Sequence, residues 1–124
     1  MPRVLYVDDE AHIREIATLS LSLDPELEIR SCASGAEALA TIDGWRPDLI
    51  LLDVMMPGMD GPTTLAKLRE NPASVAIPVV FITARTQTRE RERFLALGAA
   101  GIIAKPFDPM QLAQTAKGFL QPAS

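Results

Sequence analysis

The sequence predicts an α/β fold in which a doubly wound, five-stranded parallel sheet carries helices on both faces. Four short apolar runs bounded by turn residues are typical of strands buried on both faces. Segments with helical spacing follow the strands, so that strand and helix alternate along the chain. The length of 124 residues suits one globular domain, and we therefore predict a single domain over residues 1–124.

The predicted strands are of two kinds. The buried ones are residues 4–7, 49–52, 79–82 and 102–104, which are almost wholly apolar. Residues 28–32 alternate between polar and apolar side chains instead, which predicts a strand with one more exposed face at an edge of the sheet. Five strand–helix units joined by right-handed crossovers produce a parallel sheet covered by helices on both faces.

The predicted helices are marked by apolar spacing and by start signals. The first helix has an apolar face at Ile13, Ile16, Ala17 and Ser20. Ser34 with Glu37 forms a capping box, which predicts the start of the second helix. Asp108 as a cap, Pro109 in the first turn and Gln111 as a reciprocal partner predict that the last helix begins near Pro109.

Composition and charge exclude several classes of protein. The net charge of −4 argues against nucleic acid as a partner, because phosphate backbones are bound by basic faces. No apolar run approaches the roughly 20 residues that span a bilayer, and no signal-peptide core precedes the first strand, so we expect a cytoplasmic protein without a membrane partner. Cys32 is the single cysteine, which excludes an intramolecular disulfide and predicts a small buried side chain.

Chemically active side chains follow the predicted strands. They are Asp8, Asp9 and Glu10 after the first strand, Asp53 after the third, Thr83 after the fourth and Lys105 after the fifth. Ligands of open α/β sheets bind at the carboxyl ends of the strands, so these side chains are expected to converge. Carboxylates gathered at one edge repel one another unless a cation neutralises them, and Mg²⁺ prefers such oxygen ligands. The alternative for Asp8, Asp9 and Glu10 is capping of the first helix.

This set also suits phosphoryl transfer. The reaction needs a nucleophile, a divalent ion, and positive or hydrogen-bonding groups on the phosphoryl oxygens. Asp53, the metal, Lys105 and Thr83 supply these parts. We therefore predict a phosphoacceptor site rather than unrelated polar residues at the ends of four strands.

At these positions the chain resembles the receiver domain of bacterial response regulators. The run 4–10, the run 51–61 with the letters LLDVMMPGMDG, the run 81–84 and the run 104–107 all resemble motifs of that family. The resemblance implies a flavodoxin-like strand order 2-1-3-4-5. It also implies that the lysine is followed by a proline which the family often holds cis.

The resemblance further implies a role for each site residue. Asp53 is the phosphoacceptor, Asp9 a direct metal ligand, Asp8 a ligand acting largely through water, and the Met55 main-chain carbonyl a third protein ligand. Thr83 is the switch hydroxyl, and Lys105 is the lysine that the motif places before a proline. The implied function is a Mg²⁺-dependent signalling switch of a two-component system that changes its partner-binding surface on phosphorylation.

The implied partners are a sensor histidine kinase or phosphotransfer protein, with a small phosphodonor as a further source, and a downstream protein. The basic side chains of Arg85, Arg89 and Arg93 recur four apart, with Glu90 and Glu92 turned elsewhere. They form either a solvated helix face or, with the region from the fourth strand to the fifth helix, a docking surface. The resemblance implies self-phosphorylation and self-dephosphorylation only, and not an enzyme.

One departure from the family and four residues without an expected functional role complete the interpretation. Ile102 stands where many receivers place a Tyr or Phe that swings inward on activation, so the transmission of the signal is left open. His12 is expected to be a surface residue without chemistry. Met55, Met56 and Met59 are expected to pack locally rather than to form a docking surface.

Three alternatives stay open at this point. A haloacid-dehalogenase-type hydrolase would place its aspartyl nucleophile after the first strand with a second Asp two residues on, where this chain has Glu10. A receiver that is never phosphorylated would serve as an interaction module, although none of the acidic pair, Asp53 and Lys105 is lost. The chain is either free-standing, which its start at Met1 favours, or excised from a longer regulator, with residues 118–124 resembling a tail.

Overall fold

The computed structural model describes residues 1–120 and shows five strands alternating with five helices. The strands are β1 (Arg3–Val7), β2 (Glu28–Cys32), β3 (Leu49–Asp53), β4 (Val79–Thr83) and β5 (Gly101–Ala104). The helices are α1 (Ala11–Leu21), α2 (Gly35–Gly44), α3 (Gly61–Glu70), α4 (Thr88–Ala96) and α5 (Leu112–Phe119). All neighbouring strands pair in parallel in the order β2-β1-β3-β4-β5, which confirms the predicted fold class and order.

Two apolar cores lie on opposite faces of the sheet. One core packs β-strand side chains against α2, α3 and α4, and includes Trp45, Phe81 and Phe94. The other packs them against α1 and α5, and includes Tyr6 and Leu112. Every residue of β3 and β4 is buried, because these central strands are covered on both faces. The sheet is therefore a rigid support for whatever its strand ends carry.

The expected edge strand and the expected small buried cysteine are both confirmed. β2 lies at one edge of the sheet, and its middle residues Arg30 and Ser31 are exposed. Cys32 ends this strand with only 3% of its surface exposed. Burial raises the pKa of its thiol, so the neutral form packs in the core.

Start signals predicted the second helix well and the last one poorly. The main-chain N–H of Glu37 donates to Ser34 Oγ at 3.1 Å, as expected for a capping box, while the Glu37 carboxylate accepts from the N–H of Ala33. The last helix begins at Leu112 and not near Pro109. Asp108 instead closes a separate short turn, in which its carboxylate accepts from Met110 N–H and its carbonyl from Gln111 N–H.

Two further expectations about helices need correction. The helical spacing places Ile16 on the apolar face of α1, but its side chain is 41% exposed, and the buried side chains of that helix are Ala17, Ser20 and Leu21. Of the predicted tail, Gly118 and Phe119 belong to α5, and residues 121–124 lie outside the described residues. His12 is exposed on α1, as expected.

Two other features concern the backbone and the membrane question. The Lys105–Pro106 peptide bond is cis, as the resemblance implied. Within residues 1–120, none of the helices combines the length and the apolar character that crossing a bilayer requires.

Candidate functional site

The strand ends bring most of the predicted site residues to one edge of the sheet. Asp53 and Thr83 are the last residues of β3 and β4, whereas Asp8 and Lys105 directly follow β1 and β5 and the cluster opens above them. Ladder hydrogen bonds continue to this point: Asp8 N–H donates to the Cys32 carbonyl at 3.1 Å, and Lys105 N–H to the Thr83 carbonyl at 2.9 Å. The backbone of the site is thus held by the sheet itself.

Three carboxylates converge at this edge. Asp8, Asp9 and Asp53 each offer a carboxylate oxygen, and these oxygens lie within 4.8 Å of one another. Asp8 is fully buried and Asp53 is 4% exposed, whereas Asp9 is exposed at the mouth of the site. An all-oxygen set of this size and charge fits a hard divalent cation such as Mg²⁺, and the group contains none of the His or Cys ligands typical of zinc.

Asp8 is held by four neighbouring groups. Its Oδ2 accepts from the Tyr6 hydroxyl at 3.0 Å and from Lys105 Nζ at 3.1 Å, while its Oδ1 accepts from Glu10 N–H at 3.0 Å. Arg14 Nη1 donates to the Asp8 main-chain carbonyl at 2.8 Å. Capping of α1 by Asp8, Asp9 or Glu10 is the alternative, but the N-cap residue is Glu10 and its side chain makes no cap hydrogen bond. The hydrogen bonds of Asp8 therefore lie within the candidate site, and Glu10 does not cap α1 through its side chain.

Sequence reasoning missed the parts played by Tyr6, Glu10 and Arg14. Tyr6 stands two residues before Asp8, and side chains two apart on a strand share a face, so its hydroxyl position could have been anticipated. Burial, followed by the nearby charge of Asp8, raises the pKa of Tyr6, so it stays a hydrogen-bond donor. No sequence signal marked Arg14, whose contact depends on how α1 packs against β1.

Lys105 lies among three carboxylates. Its Nζ is 3.1 Å from Asp8 Oδ2, 3.4 Å from Asp53 Oδ2 and 3.4 Å from Glu10 Oε1. Burial alone would lower the pKa of Lys105, but the hydrogen bond to Asp8 and the charges of Asp53, Asp8 and Glu10 outweigh it and raise that pKa. The ammonium is therefore the positive charge that partly balances the cluster.

The negative charge of Asp53 is disfavoured by its surroundings. Burial, together with the like charge of Asp8, raises the pKa of Asp53 to about 6 even though Lys105 acts in the opposite direction. A raised carboxyl pKa in a cluster of carboxylates means that a further cation would be bound favourably there. This is the electrostatic evidence that the site fits a metal ion.

Thr83 and Met55 lie at the same edge, with their predicted roles untested. Thr83 is 4% exposed, and its hydroxyl oxygen accepts from Arg85 N–H at 2.9 Å. Met55 is in the loop after β3 with its side chain 72% exposed, so only its main chain is a candidate for the site. Met56 is 7% exposed and packs in the core with α2, α3 and α4, as expected for local packing, whereas the expectation was wrong for the exposed Met55 side chain.

The loop after Asp53 is closed by an unusually close backbone contact. Gly61 N–H donates to the Val54 carbonyl at 2.9 Å. A Cβ atom at Gly61 would stand 2.7 Å from the Asp53 carbonyl oxygen and 2.9 Å from Val54 Cα. Glycine is therefore required where α3 begins. The close approach of Gly61 also restricts the position of the Asp53 main chain.

The arginine face is less regular than its spacing predicted. Arg89 and Arg93 lie on α4, but Arg85 lies three residues before it, because Arg85 N–H is bound to Thr83 and the helix starts at Thr88. Glu90 is not turned elsewhere, since its carboxylate is 3.7 Å from Arg93 Nη1. All three arginines are exposed.

Comparisons with known proteins match this architecture. The model of the response regulator receiver domain family matches residues 4–117. Response regulator PleD of Caulobacter vibrioides is 44% identical over 112 residues, which are 89% of this chain and 24% of that protein. A protein-glutamate methylesterase/protein-glutamine glutaminase of Cereibacter sphaeroides is 44% identical over 107 residues, 84% of this chain and 28% of that protein.

Solved structures give the same result. The chemotaxis protein CheY4 of Vibrio cholerae superimposes with a TM-score of 0.89 at 34% identity, covering 97% of this chain and 99% of that chain. The curated relatives are longer, and this chain spans about a quarter to a half of their length. The shared region is thus the part that the family model describes, and the methylesterase relative is matched over only a minor part of its length.

Proposed function

This chain belongs to the response regulator receiver domain family of two-component signalling, and we propose that it works as a switch in which Asp53 accepts a phosphoryl group. The observation that carries the proposal is the position of the Asp53 carboxylate. It lies at the end of a fully buried central strand, within 4.8 Å of carboxylate oxygens of Asp8 and Asp9 and 3.4 Å from the Lys105 ammonium.

The proposed chemistry is a displacement at phosphorus. A carboxylate oxygen of Asp53 attacks the phosphorus of the donor and forms a new P–O bond, so that an acyl phosphate results. The bond from phosphorus to the donor atom breaks, and the donor leaves with the electron pair. The switch is turned off by hydrolysis. Water attacks the phosphorus, the bond from phosphorus to the Asp53 oxygen breaks, and inorganic phosphate leaves, which restores the carboxylate. We propose no other catalytic activity for the domain.

Mg²⁺ is the proposed cofactor. Asp8, Asp9, Asp53 and the Met55 main-chain carbonyl would hold it, with Asp8 acting largely through water, and the ion would neutralise phosphoryl charge when bound. The convergence of the three carboxylates and the raised pKa of Asp53 support this assignment. The chain's own contribution is to keep these oxygens close together on a rigid sheet edge.

Lys105 and Thr83 are proposed to read the phosphoryl group. The ammonium of Lys105 already points at Asp53 and would bind a phosphoryl oxygen by a charge-assisted hydrogen bond. After rotation of its side chain, the Thr83 hydroxyl would donate to a second phosphoryl oxygen. Thr83 Oγ1 would then no longer accept from Arg85 N–H. Phosphorylation would in this way be felt in the loop that leads to α4.

The proposed phosphodonor is a sensor histidine kinase, a phosphotransfer protein or a small phosphodonor. The proposed downstream partner binds the surface from β4 to α5, including the exposed Arg85, Arg89 and Arg93. A reducing, cytoplasmic location suits the free Cys32, which is buried as a thiol. Nucleic acid and membrane are not part of the proposal.

The test is phosphorylation by acetyl phosphate, followed by intact mass. We expect the wild-type chain to gain one phosphoryl group when Mg²⁺ is present and to remain unmodified in EDTA. Asp53→Asn should gain none, whereas Asp60→Asn, at the exposed start of α3, should be modified like wild type. Equal modification of wild type and Asp53→Asn would remove the proposal.

A further inference from the structure

Glu10 has a side chain that neither the helix nor the proposed metal site uses. It is the N-cap residue of α1, but its carboxylate makes no cap hydrogen bond. Its main-chain N–H donates to Asp8 Oδ1 at 3.0 Å, which fixes where the residue sits. From there its Oε1 reaches to 3.4 Å from Lys105 Nζ. The side chain is half exposed, so it stands at the mouth of the site, outside Asp8 and Asp53.

Lys105 has no hydrogen-bonding capacity to spare in this arrangement. A lysine ammonium carries three donors, and three carboxylates from Asp8, Glu10 and Asp53 lie within 3.4 Å of it. A phosphoryl group on Asp53 brings new oxygen acceptors for the same ammonium. One existing contact has to be given up when Lys105 turns to the phosphoryl group, and the exposed contact to Glu10 is the weakest of the three.

We propose that Glu10 is a positioning residue that holds Lys105 in the resting state and competes with the phosphoryl group for it. The inference rests on the proposed function of Asp53. Glu10 thereby sets how readily the phosphorylated state forms, without touching the reacting atoms. Removing its charge releases one restraint on Lys105, and an exposed ion pair of this kind corresponds to about a two- to fivefold change in an equilibrium.

Beryllofluoride, a phosphoryl mimic that binds an aspartate carboxylate, gives the test at saturating Mg²⁺. We expect Glu10→Gln to tighten beryllofluoride binding by about two- to fivefold. Glu15→Gln is the matched control, since Glu15 is an exposed glutamate on α1, and it should leave the affinity unchanged. Affinity in Glu10→Gln equal to that of wild type overturns the proposal.

A double-mutant cycle separates a restraint on Lys105 from simple repulsion between Glu10 and the bound anion. In a Lys105→Gln background, the effect of Glu10→Gln should vanish, because the restrained group is gone. The same tightening in both backgrounds means that charge repulsion alone is at work, and the proposal fails. The wild-type and Asp53→Asn proteins run alongside: equal binding by these two would instead sink the assignment of Asp53 and this inference with it.

A second readout needs neither metal nor anion. In the metal-free protein, Glu10→Gln should increase the mobility of the Lys105 side chain, seen as a narrower ε-methylene signal and a shift toward that of an exposed lysine. The Glu15→Gln signal should match wild type. An unchanged Lys105 signal in Glu10→Gln shows that the pair does not restrain Lys105, and it overturns the proposal independently of phosphorylation.

Discussion

Tyr6 and Asp8 show how a single buried hydroxyl shapes the candidate site. Asp8 is fully buried, and its Oδ2 is shared between the Tyr6 hydroxyl and the Lys105 ammonium. A buried carboxylate is tolerated only when its oxygens are hydrogen-bonded. Tyr6 therefore stabilises the Asp8 carboxylate in the candidate site, although the sequence pattern predicts only an ordinary core residue for a tyrosine inside a strand.

The first prediction follows from this hydrogen bond. Tyr6→Phe keeps the ring and its edge contact with Phe107 but deletes the donor to Asp8. Hydrogen bonds to charged groups contribute about 1.5–3 kcal/mol, so we expect the free energy of unfolding of the metal-free protein to fall by about that amount. Urea unfolding in EDTA measures it. A change of less than about 0.5 kcal/mol would mean that Asp8 does not depend on Tyr6.

The second prediction concerns pH and Asp53. The pKa of Asp53 rises from 3.8 to about 6 on folding, so the folded metal-free protein binds this proton more tightly than the unfolded chain does. Ionising Asp53 therefore destabilises the folded state, and stability is lost as pH rises from about 4 to about 6. Asp53→Asn removes this loss. The rise of the Asp53 pKa from 3.8 to about 6 corresponds to about 3 kcal/mol, and solvent reaching the site mouth reduces this to about 1–2 kcal/mol.

The measurement is urea unfolding of wild type and Asp53→Asn across pH 4 to 8 without metal. The variant should match wild type at the acidic end and be more stable above about pH 6. Saturating Mg²⁺ should close the gap, since a bound cation neutralises the same charge. A difference that does not vary with pH would contradict the raised pKa of Asp53.

At the scale of elements, the contact between β3 and the start of α3 determines where Asp53 lies. The third prediction is that Gly61→Ala destabilises the protein by about 1–3 kcal/mol, because the added Cβ would stand 2.7 Å from a main-chain oxygen that cannot move alone. Phosphorylation of Asp53 should slow in parallel. Gly44→Ala, in the last turn of α2 with open space around it, is the control and should be neutral or stabilising by up to about 1 kcal/mol. Equal stability of the two variants would show that the close approach carries no weight.

The fourth prediction concerns β5 and α4. Ile102 pairs in register with Phe81 and is only partly buried against the core that contains Phe81 and Phe94. A β-branched side chain is stiff at its first torsion and has no ring to exchange between exposed and buried positions. We expect beryllofluoride to shift the amide signals of the loops after Asp53 and Thr83 more than those of residues 99–115. Equally large shifts in both regions, with partner binding lost in Ile102→Ala, would contradict this prediction. They would show that Ile102 itself transmits the signal from Asp53 to the partner-binding surface.

The same elements show what the sequence could predict. Alternation in residues 28–32 and unbroken apolar runs in β3 and β4 identified edge and central strands, because burial acts on every second or every residue of a strand. The start of α5 was wrong because Asp108 uses the same hydrogen bonds to close a short turn that it would use to cap a helix. The expectation for Ile16 was wrong because helical spacing shows which residues share a face of the helix, but not which of them the sheet covers.

Some residues of the candidate site could also be placed from the sequence, and others could not. Asp8, Asp53, Thr83 and Lys105 could be placed from sequence because each follows or ends a strand of a parallel sheet. The contacts of Glu10 with Lys105 and of Arg14 with the Asp8 carbonyl could not be placed, since they depend on side-chain length and on the packing of α1.

In the molecule as a whole, the two ends of the sheet carry different groups of side chains. Asp8 and Asp53 lie at the carboxyl ends of the strands, whereas Trp45 packs near their amino ends. Its Nε1 donates to Glu28 Oε2 at 2.7 Å, and the guanidinium groups of Arg3 and Arg30 lie 5.4 and 5.0 Å from its ring. Trp45 is therefore suited to follow unfolding of the sheet and is poorly placed to report directly on the candidate metal site.

The whole-molecule arrangement also distinguishes the candidate acceptors. Asp8 and Asp53 are both buried carboxylates beside Lys105, but they differ in position on the sheet. Asp53 ends a central strand and begins the loop to α3, whereas Asp8 is engaged by Tyr6, Lys105 and Glu10 N–H at once. Both oxygens of Asp8 thus already accept hydrogen bonds, which disfavours nucleophilic attack by Asp8, and we expect the phosphoryl group on Asp53.

Borohydride trapping of the phosphorylated chain tests this claim most directly. Reduction converts an aspartyl phosphate to homoserine, and peptide mapping by mass spectrometry locates the altered residue. After treatment with acetyl phosphate and Mg²⁺, we predict homoserine at position 53 alone, and none when Mg²⁺ is withheld or when Asp53→Asn is used. Homoserine at position 8, or trapping that continues in Asp53→Asn, would contradict the account and point to an aspartyl nucleophile on the first strand instead.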